Sequence, residues 1–274
     1  MSLAVKFVQD GDGASRLNGG MNDAAISEQP FRLKWWPIMI AIVMGLGTQF
    51  LASTGATLTI FRMHRHVLSD GSPSWLFIYL QHGYVLLLTL ACIAALKRWW
   101  VPADYGLHRP RGKTYIGPAV FWGLLFGVLM TLVDYAPQWL GNSKPDIGFP
   151  LTQANIWSCI VFSGVFVGPT EEIPFRALLV TFLAATMPGK LRLGRFEMNG
   201  AGVVVALLFA LAHMASFWTQ PWPQALGQQF YAIALGVLYA YWLEESGSIV
   251  ASAIGHNVSD MTEYLITLVW LGVF

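Results

Sequence analysis

A run of ~20 apolar residues is long enough for a helix to cross ~30 Å of hydrocarbon, and this chain contains one such run after another. Six are plain, at 35–61, 75–96, 115–136, 201–218, 227–243 and 248–274. Lipid offers backbone N–H and C=O groups no partner, so each run reads as a helix. A seventh, 152–187, is too long for an upright crossing and contains Pro169 and Pro174. It reads as one kinked, tilted helix or as a re-entrant piece followed by a helix. With 55% hydrophobic and 11% charged residues, the main solvent of the chain is lipid, not water. A net charge of +1 lacks the basic face that nucleic acid requires, which removes that class of partner. The expected fold is an all-α, polytopic membrane helix bundle of about seven transmembrane helices. It forms one membrane-embedded domain, 35–274, behind a flexible polar tail, 1–34.

Basic residues in short connectors tend to stay in the cytoplasm. Arg32 and Lys34 precede the first run; Lys97, Arg98, Arg109, Arg111 and Lys113 crowd the second connector, and Lys190, Arg192 and Arg195 the fourth. Counting 152–187 as a single crossing puts all three groups on one side, with the N-terminus in the cytoplasm and the protein in the cell membrane. The connector with Arg62 and Arg65 is then an exception on the far side. Trp35, Trp36, Trp99, Trp100, Trp139, Trp218 and Trp222 stand near run ends, as interfacial anchors do. Gly123 and Gly127, four apart, permit close helix packing. Cys92 and Cys159 lie in apolar runs and read as packing thiols.

Ionisable groups in hydrocarbon cost ~2.5–3.5 kcal/mol each on insertion scales, so each needs a partner or a wet cavity. Glu171 and Glu172 open the stretch Glu-Glu-Ile-Pro-Phe-Arg between two apolar runs. On a helix Glu172 and Arg176 are one turn apart and can pair, whereas Glu171 points about 100° away and stays free. A free, partly desolvated carboxylate is suited to accept a proton from water. Phe209 and His213 are one turn apart in the fifth run; His256 and Asp260 are one turn apart in the last, with Asn257 beside them. Three helices thus bring Glu, His, and His with Asp to mid-membrane, a set suited to water activation and oxyanion stabilisation. Each alone is compatible with a satisfied ion pair or a packing hydrogen bond.

In order and spacing these motifs resemble those of the CAAX protease and bacteriocin-processing family, also called the type II CAAX prenyl endopeptidase or lysostaphin-resistance-like family of intramembrane proteases. The pattern Glu-Glu-x-x-x-Arg is met by Glu171, Glu172 and Arg176, Phe-x-x-x-His by Phe209 and His213, and His-x-x-x-Asn/Asp by His256 and Asp260. The motif core spans 152–264. The resemblance implies a glutamate-dependent endopeptidase. Glu171 with His213 would activate water and His256 with Asp260 would stabilise the oxyanion, supported by Glu172, Arg176, Phe209 and Asn257. Asp260 stands where the family often has Asn; a carboxylate cannot donate, so it would act protonated or by orienting His256 or Asn257. The implied substrate is a peptide or a membrane-tethered protein, prenylated in some relatives.

Glu171, His213 and His256 are also a legitimate zinc set, but the compact His-Glu-x-x-His helix is absent, which favours a mechanism with no cofactor. The competing class is a non-proteolytic transporter or accessory or immunity protein that uses the same buried charges. Measured from the cytoplasmic ends, His256 lies ~12 Å and His213 ~18 Å deep, in a cavity expected to open to the cytoplasm. His64, His66, His82 and His108 read as solvated connector residues, Asp134 and Glu263 as structural or snorkelling acids, and Glu244 and Glu245 as facing water. Nothing in the sequence sets an oligomeric state.

Overall fold

The computed structural model describes residues 30–63, 75–193 and 196–274. Residues 1–29 of the tail, His64, Arg65, His66 and Arg195 lie outside the described residues. The helices are α1 (Trp35–Met63), α2 (Trp75–Trp99), α3 (Ile116–Asp134), α4 (Ala136–Leu140), α5 (Gln153–Thr186), α6 (Gly200–Ala212), α7 (Ser216–Thr219), α8 (Trp222–Ser246) and α9 (Val250–Trp270). The bundle is all-α as expected, with one addition. The fourth connector folds into an antiparallel hairpin, β1 (Lys190–Leu193) and β2 (Phe196–Asn199), with Lys190 opposite Asn199 and Leu191 opposite Met198. Pro30 bridges to Lys190 and Phe31 N–H donates to Lys190 O at 3.3 Å, so residues 30–34 run along this hairpin.

Among the described residues, five helical segments are long and apolar enough to cross a membrane: α1, α2, α3, α5, and α6 continued through α7. The expected count of seven is not reached by that measure. α8 and α9, at 25 and 21 residues, have the length but fall short in composition, because they carry polar groups toward the interior. Large apolar side chains face outward along the crossing helices, among them Val43, Phe50, Leu87, Phe121 and Leu132. Exposed Trp35 and Trp99 mark one end of the bundle and Trp218 and Trp222 the other, with Trp139 stacked on Trp270 at 4.0 Å.

α5 resolves the ambiguity of the 152–187 run. It is one continuous helix, capped at its start by Thr152, whose Oγ accepts from Asn155 N–H at 3.3 Å. Instead of breaking at its prolines it widens into two π segments, Phe162–Phe166 and Ile173–Val180. A π turn takes one more residue than an α turn, and such insertions recur at functional sites. The α segment between them, Val167–Glu172, carries the paired glutamates.

Two close approaches fix α9 against its neighbours. A Cβ on Gly127 would lie 2.5 Å from Ser259 O and one on Gly123 2.8 Å from Gly255 O, so the Gly-x-x-x-Gly face of α3 lies directly on the α9 backbone. At Gly168 of α5 a Cβ would come 2.2 Å from Ala253 O. These contacts leave room only for glycine and bring the glutamates of α5 level with His256.

Candidate active site

The centre is a buried chain of charge. Glu172 and Arg176 are both 0% exposed, with Glu172 Oε2 3.0 Å from Arg176 Nε, as their spacing of one helical turn predicts. The Arg176 N–H groups find no hydrogen-bond acceptor. The pairing is therefore one of proximity, and the guanidinium lies instead over aromatic faces, 4.6 Å from the Phe209 centroid and 5.3 Å from that of Tyr239. The other carboxylate oxygen of Glu172 takes the Nδ1 proton of His256 at 2.8 Å. Because that partner only accepts, Nδ1 must carry hydrogen, and Nε2 is the atom left for chemistry. Nε2 lies 3.7 Å from Glu171 Oε2 and 3.8 Å from Asp260 Oδ2.

His213 closes α6 as its C-cap, at φ −92° and ψ 5°, where a position inside a continuing helix was expected. The chain turns there before α7 and the ring swings back to donate from Nδ1 to Phe209 O at 2.8 Å. A carbonyl accepts only, so a neutral His213 keeps its Nε2 lone pair free. The Phe209 ring packs edge-on against His213 at 4.7 Å and lies 6.1 Å from His256. This gives the Phe-x-x-x-His spacing a physical purpose: one ring supports both histidines and the buried arginine.

Glu171, Phe209, His213, His256 and Asp260 line one cavity of about 630 Å³. Asn257, expected in support of catalysis, is not among its lining residues. Its Oδ1 accepts from Gly168 N–H at 2.7 Å and its Nδ2 donates to Val165 O at 3.4 Å, so it bridges the first π segment to α9. Asp260 accepts from Ser259 Oγ at 3.3 Å.

The cavity mouth departs from the sequence reading. Its exposed lining residues are Asp146, Gly148, Thr219, Gln220 and Pro221, in the connectors after α4 and α7. These lie at the opposite end of the helices from Lys97, Arg111 and Lys190. A cytoplasmic mouth and cytoplasmic basic connectors are thus mutually exclusive. At the basic end Val101, Tyr105, Leu243 and Ile249 pack into the core and close the route.

Three other residues set aside in the sequence belong here. His82 is a half-buried member of α2, not a solvated connector residue; its Nδ1 lies 2.9 Å from Thr170 Oγ, beside Glu171. A histidine inside an apolar 25-residue run is itself the signal that finds it. Asp134 and Glu263 line the same cavity as Glu171. In the basic connectors, Glu244 accepts from Asn199 N–H at 2.7 Å and Glu245 from Tyr115 OH at 3.2 Å, tying hairpin and connector to α8. The Tyr115 hydroxyl is pushed up to about 12 by partial burial and by the Glu245 carboxylate.

Among the described residues no three His, Cys, Asp or Glu side chains converge as a metal-binding group. Nδ1 of both His213 and His256 is committed to an acceptor, which leaves Nε2 of each toward the cavity, with Nε2 of His256 3.7 Å from Glu171 Oε2 and 3.8 Å from Asp260 Oδ2.

The family model described as "Type II CAAX prenyl endopeptidase Rce1-like" matches residues 153–262, which run from the first turn of α5 to the middle of α9. No curated protein and no solved structure matches the chain.

Proposed function

We propose, from the match of residues 153–262 to the Rce1-like model of type II CAAX prenyl endopeptidases, that the chain hydrolyses a peptide bond of a membrane-associated substrate by glutamate-activated water. The observation that carries this reading is the convergence of Glu171, His213 and His256 on one cavity, beside a second carboxylate, Glu172, that is wholly committed to structure.

In this mechanism water sits between the Glu171 carboxylate and the free Nε2 of His213. Glu171 takes its proton as the oxygen attacks the scissile carbonyl. The negative charge that develops on the carbonyl oxygen is met by Nε2–H of His256, held in orientation by Glu172, with Asp260 on its other side. Collapse of the tetrahedral intermediate breaks the C–N bond, and the proton on Glu171 passes to the leaving amine. Asp260 needs no donor role: its carboxylate, 3.8 Å from Nε2, aims the ring. The Glu172–Arg176 pair fixes Nδ1 and takes no part in proton transfer.

All seven long helical segments cross the membrane in this reading, and the basic connectors face the cytoplasm. The mouth between Asp146 and Gln220 then faces the far side, so a substrate segment enters from there or from the membrane plane.

The test is cleavage of quenched, membrane-tethered or prenylated peptides by the purified full-length protein. Wild type cuts; Glu171→Ala and His213→Ala, folded, lose ~10²–10⁴-fold in kcat/KM, the range for removal of a positioned acid or base. Equal cleavage by these variants would move the reading to a non-proteolytic accessory role.

A further inference from the structure

Between the catalytic centre and the mouth, the cavity has a second polar group that the mechanism leaves unused. Asp134, the last residue of α3, accepts from Tyr231 OH at 2.9 Å, and the Glu263 carboxyl lies within hydrogen-bonding reach of its own. Gln224, 6% exposed, is oriented by its amide nitrogen, which donates to the Asp134 backbone carbonyl. A flipped amide would set oxygen against oxygen, so Gln224 Oε1 is fixed as the free atom. That oxygen is buried and without a hydrogen-bond partner, and Asp134 Oδ1 has no neighbour to pair with but the Glu263 carboxyl.

Buried acceptors short of donors are costly, and these converge at one wall of a water-accessible cavity. Among the described residues no Lys or Arg lines that cavity, whereas five acidic side chains do. Two neighbouring carboxylates repel when both are ionised, and a cation between them removes the repulsion. An acceptor-only cradle of this kind is complementary to a group that only donates and carries positive charge, which among peptide side chains means ammonium or guanidinium.

Distance sets where that side chain belongs. Glu263 follows His256 by seven residues on α9, ~10 Å along the helix, and an extended peptide advances ~3.3 Å per residue. Resting on the peptidase reading above, we propose that Asp134, Glu263, Tyr231 and Gln224 form a specificity subsite for a Lys or Arg side chain about one to three residues from the scissile bond.

Binding can be read apart from cleavage by using full-length Glu171→Ala protein in detergent with labelled peptides that differ only in lysine or norleucine at each position. At one position the lysine peptide binds about tenfold more tightly, and the ratio falls to about twofold or less with Asp134→Asn or Glu263→Gln added. Tyr231→Phe, which removes one hydroxyl and keeps the ring, lowers the ratio by a smaller factor and guards against loss of fold. Equal binding of the two peptides overturns the subsite, as does a lysine preference untouched by all three substitutions. In wild type the same lysine-to-norleucine ratio appears in kcat/KM. If wild type cuts nothing, the peptidase reading falls while the binding ratio still decides the subsite; if it cuts without preference, the subsite falls and the peptidase reading stands.

Discussion

At the end of the bundle that carries Arg109, Arg111 and Lys190, the connectors fold down onto the helices. Val101 and Tyr105 enter the core beside Leu243 and Ile249, and Ile249 N–H donates to Gly106 O at 3.1 Å. At the other end Asp146 and Gln220 border a cavity of about 630 Å³ that reaches inward to Glu171 and His256. Positive charge stands outside in water at the closed end, and negative charge is gathered inside at the open one. The contrast separates two uses of ionisable groups. Surface cations orient a chain in the membrane at little cost, whereas buried acids are tolerated only with a partner or with water, and here they have both.

The largest contrast is expected in accessibility. In a Cys92→Ala background, a cysteine at Gln220 reacts with an impermeant maleimide added to intact cells, while one at Lys113 reacts only after the cells are opened. Labelling in the reverse order would put the cavity mouth in the cytoplasm and end the orientation drawn from the basic connectors.

Next in size is the difference between the two adjacent glutamates. Glu172→Ala leaves Arg176 buried and unpaired, a change expected to cost ~3–5 kcal/mol and to lower Tm in detergent by many degrees. Glu171→Gln, on the cavity side, stays within ~1 kcal/mol of wild type while abolishing cleavage. Similar Tm losses for both would show that Glu171 is as structural as its neighbour.

The smallest effect belongs to the closed end. His108 is held above its ordinary value by the Arg109 backbone carbonyl and by Asp104, to which it is paired at 2.8 Å. A raised value means that the pairing stabilises the fold fully below the ordinary value of 6.5 and ceases to do so as pH climbs through the raised one. His108→Gln should therefore cost roughly 0.5 kcal/mol or less at acidic pH, owing to solvent screening, and nothing at alkaline pH. A pH-independent loss would trace the effect to packing.

The run lengths predicted where the helices lie, and one-turn spacing placed Glu172 on Arg176 and freed Glu171, because both rest on local helix geometry. The Gly123 and Gly127 spacing likewise announced the close contact of α3 with α9. Other features depend on neighbours remote in sequence. Asn257 stands beside His256 in the sequence, yet its amide bridges to the backbone of α5. His82 was read as solvated, though α2 carries it to Thr170. The β1–β2 hairpin has no periodic signal in so short and charged a connector.

By itself the sequence determined a helical membrane protein with three motif-bearing helices, since hydrophobic length and helical period are properties of consecutive residues. Only the tertiary structure decided that both glutamates meet His256 by different faces, that Asp134 and Glu263 share the cavity of Glu171, and that its mouth lies away from the basic connectors. These are matters of how helices dock, and docking is fixed where Gly123, Gly127 and Gly168 let backbones approach, a contact between distant segments that no single segment encodes.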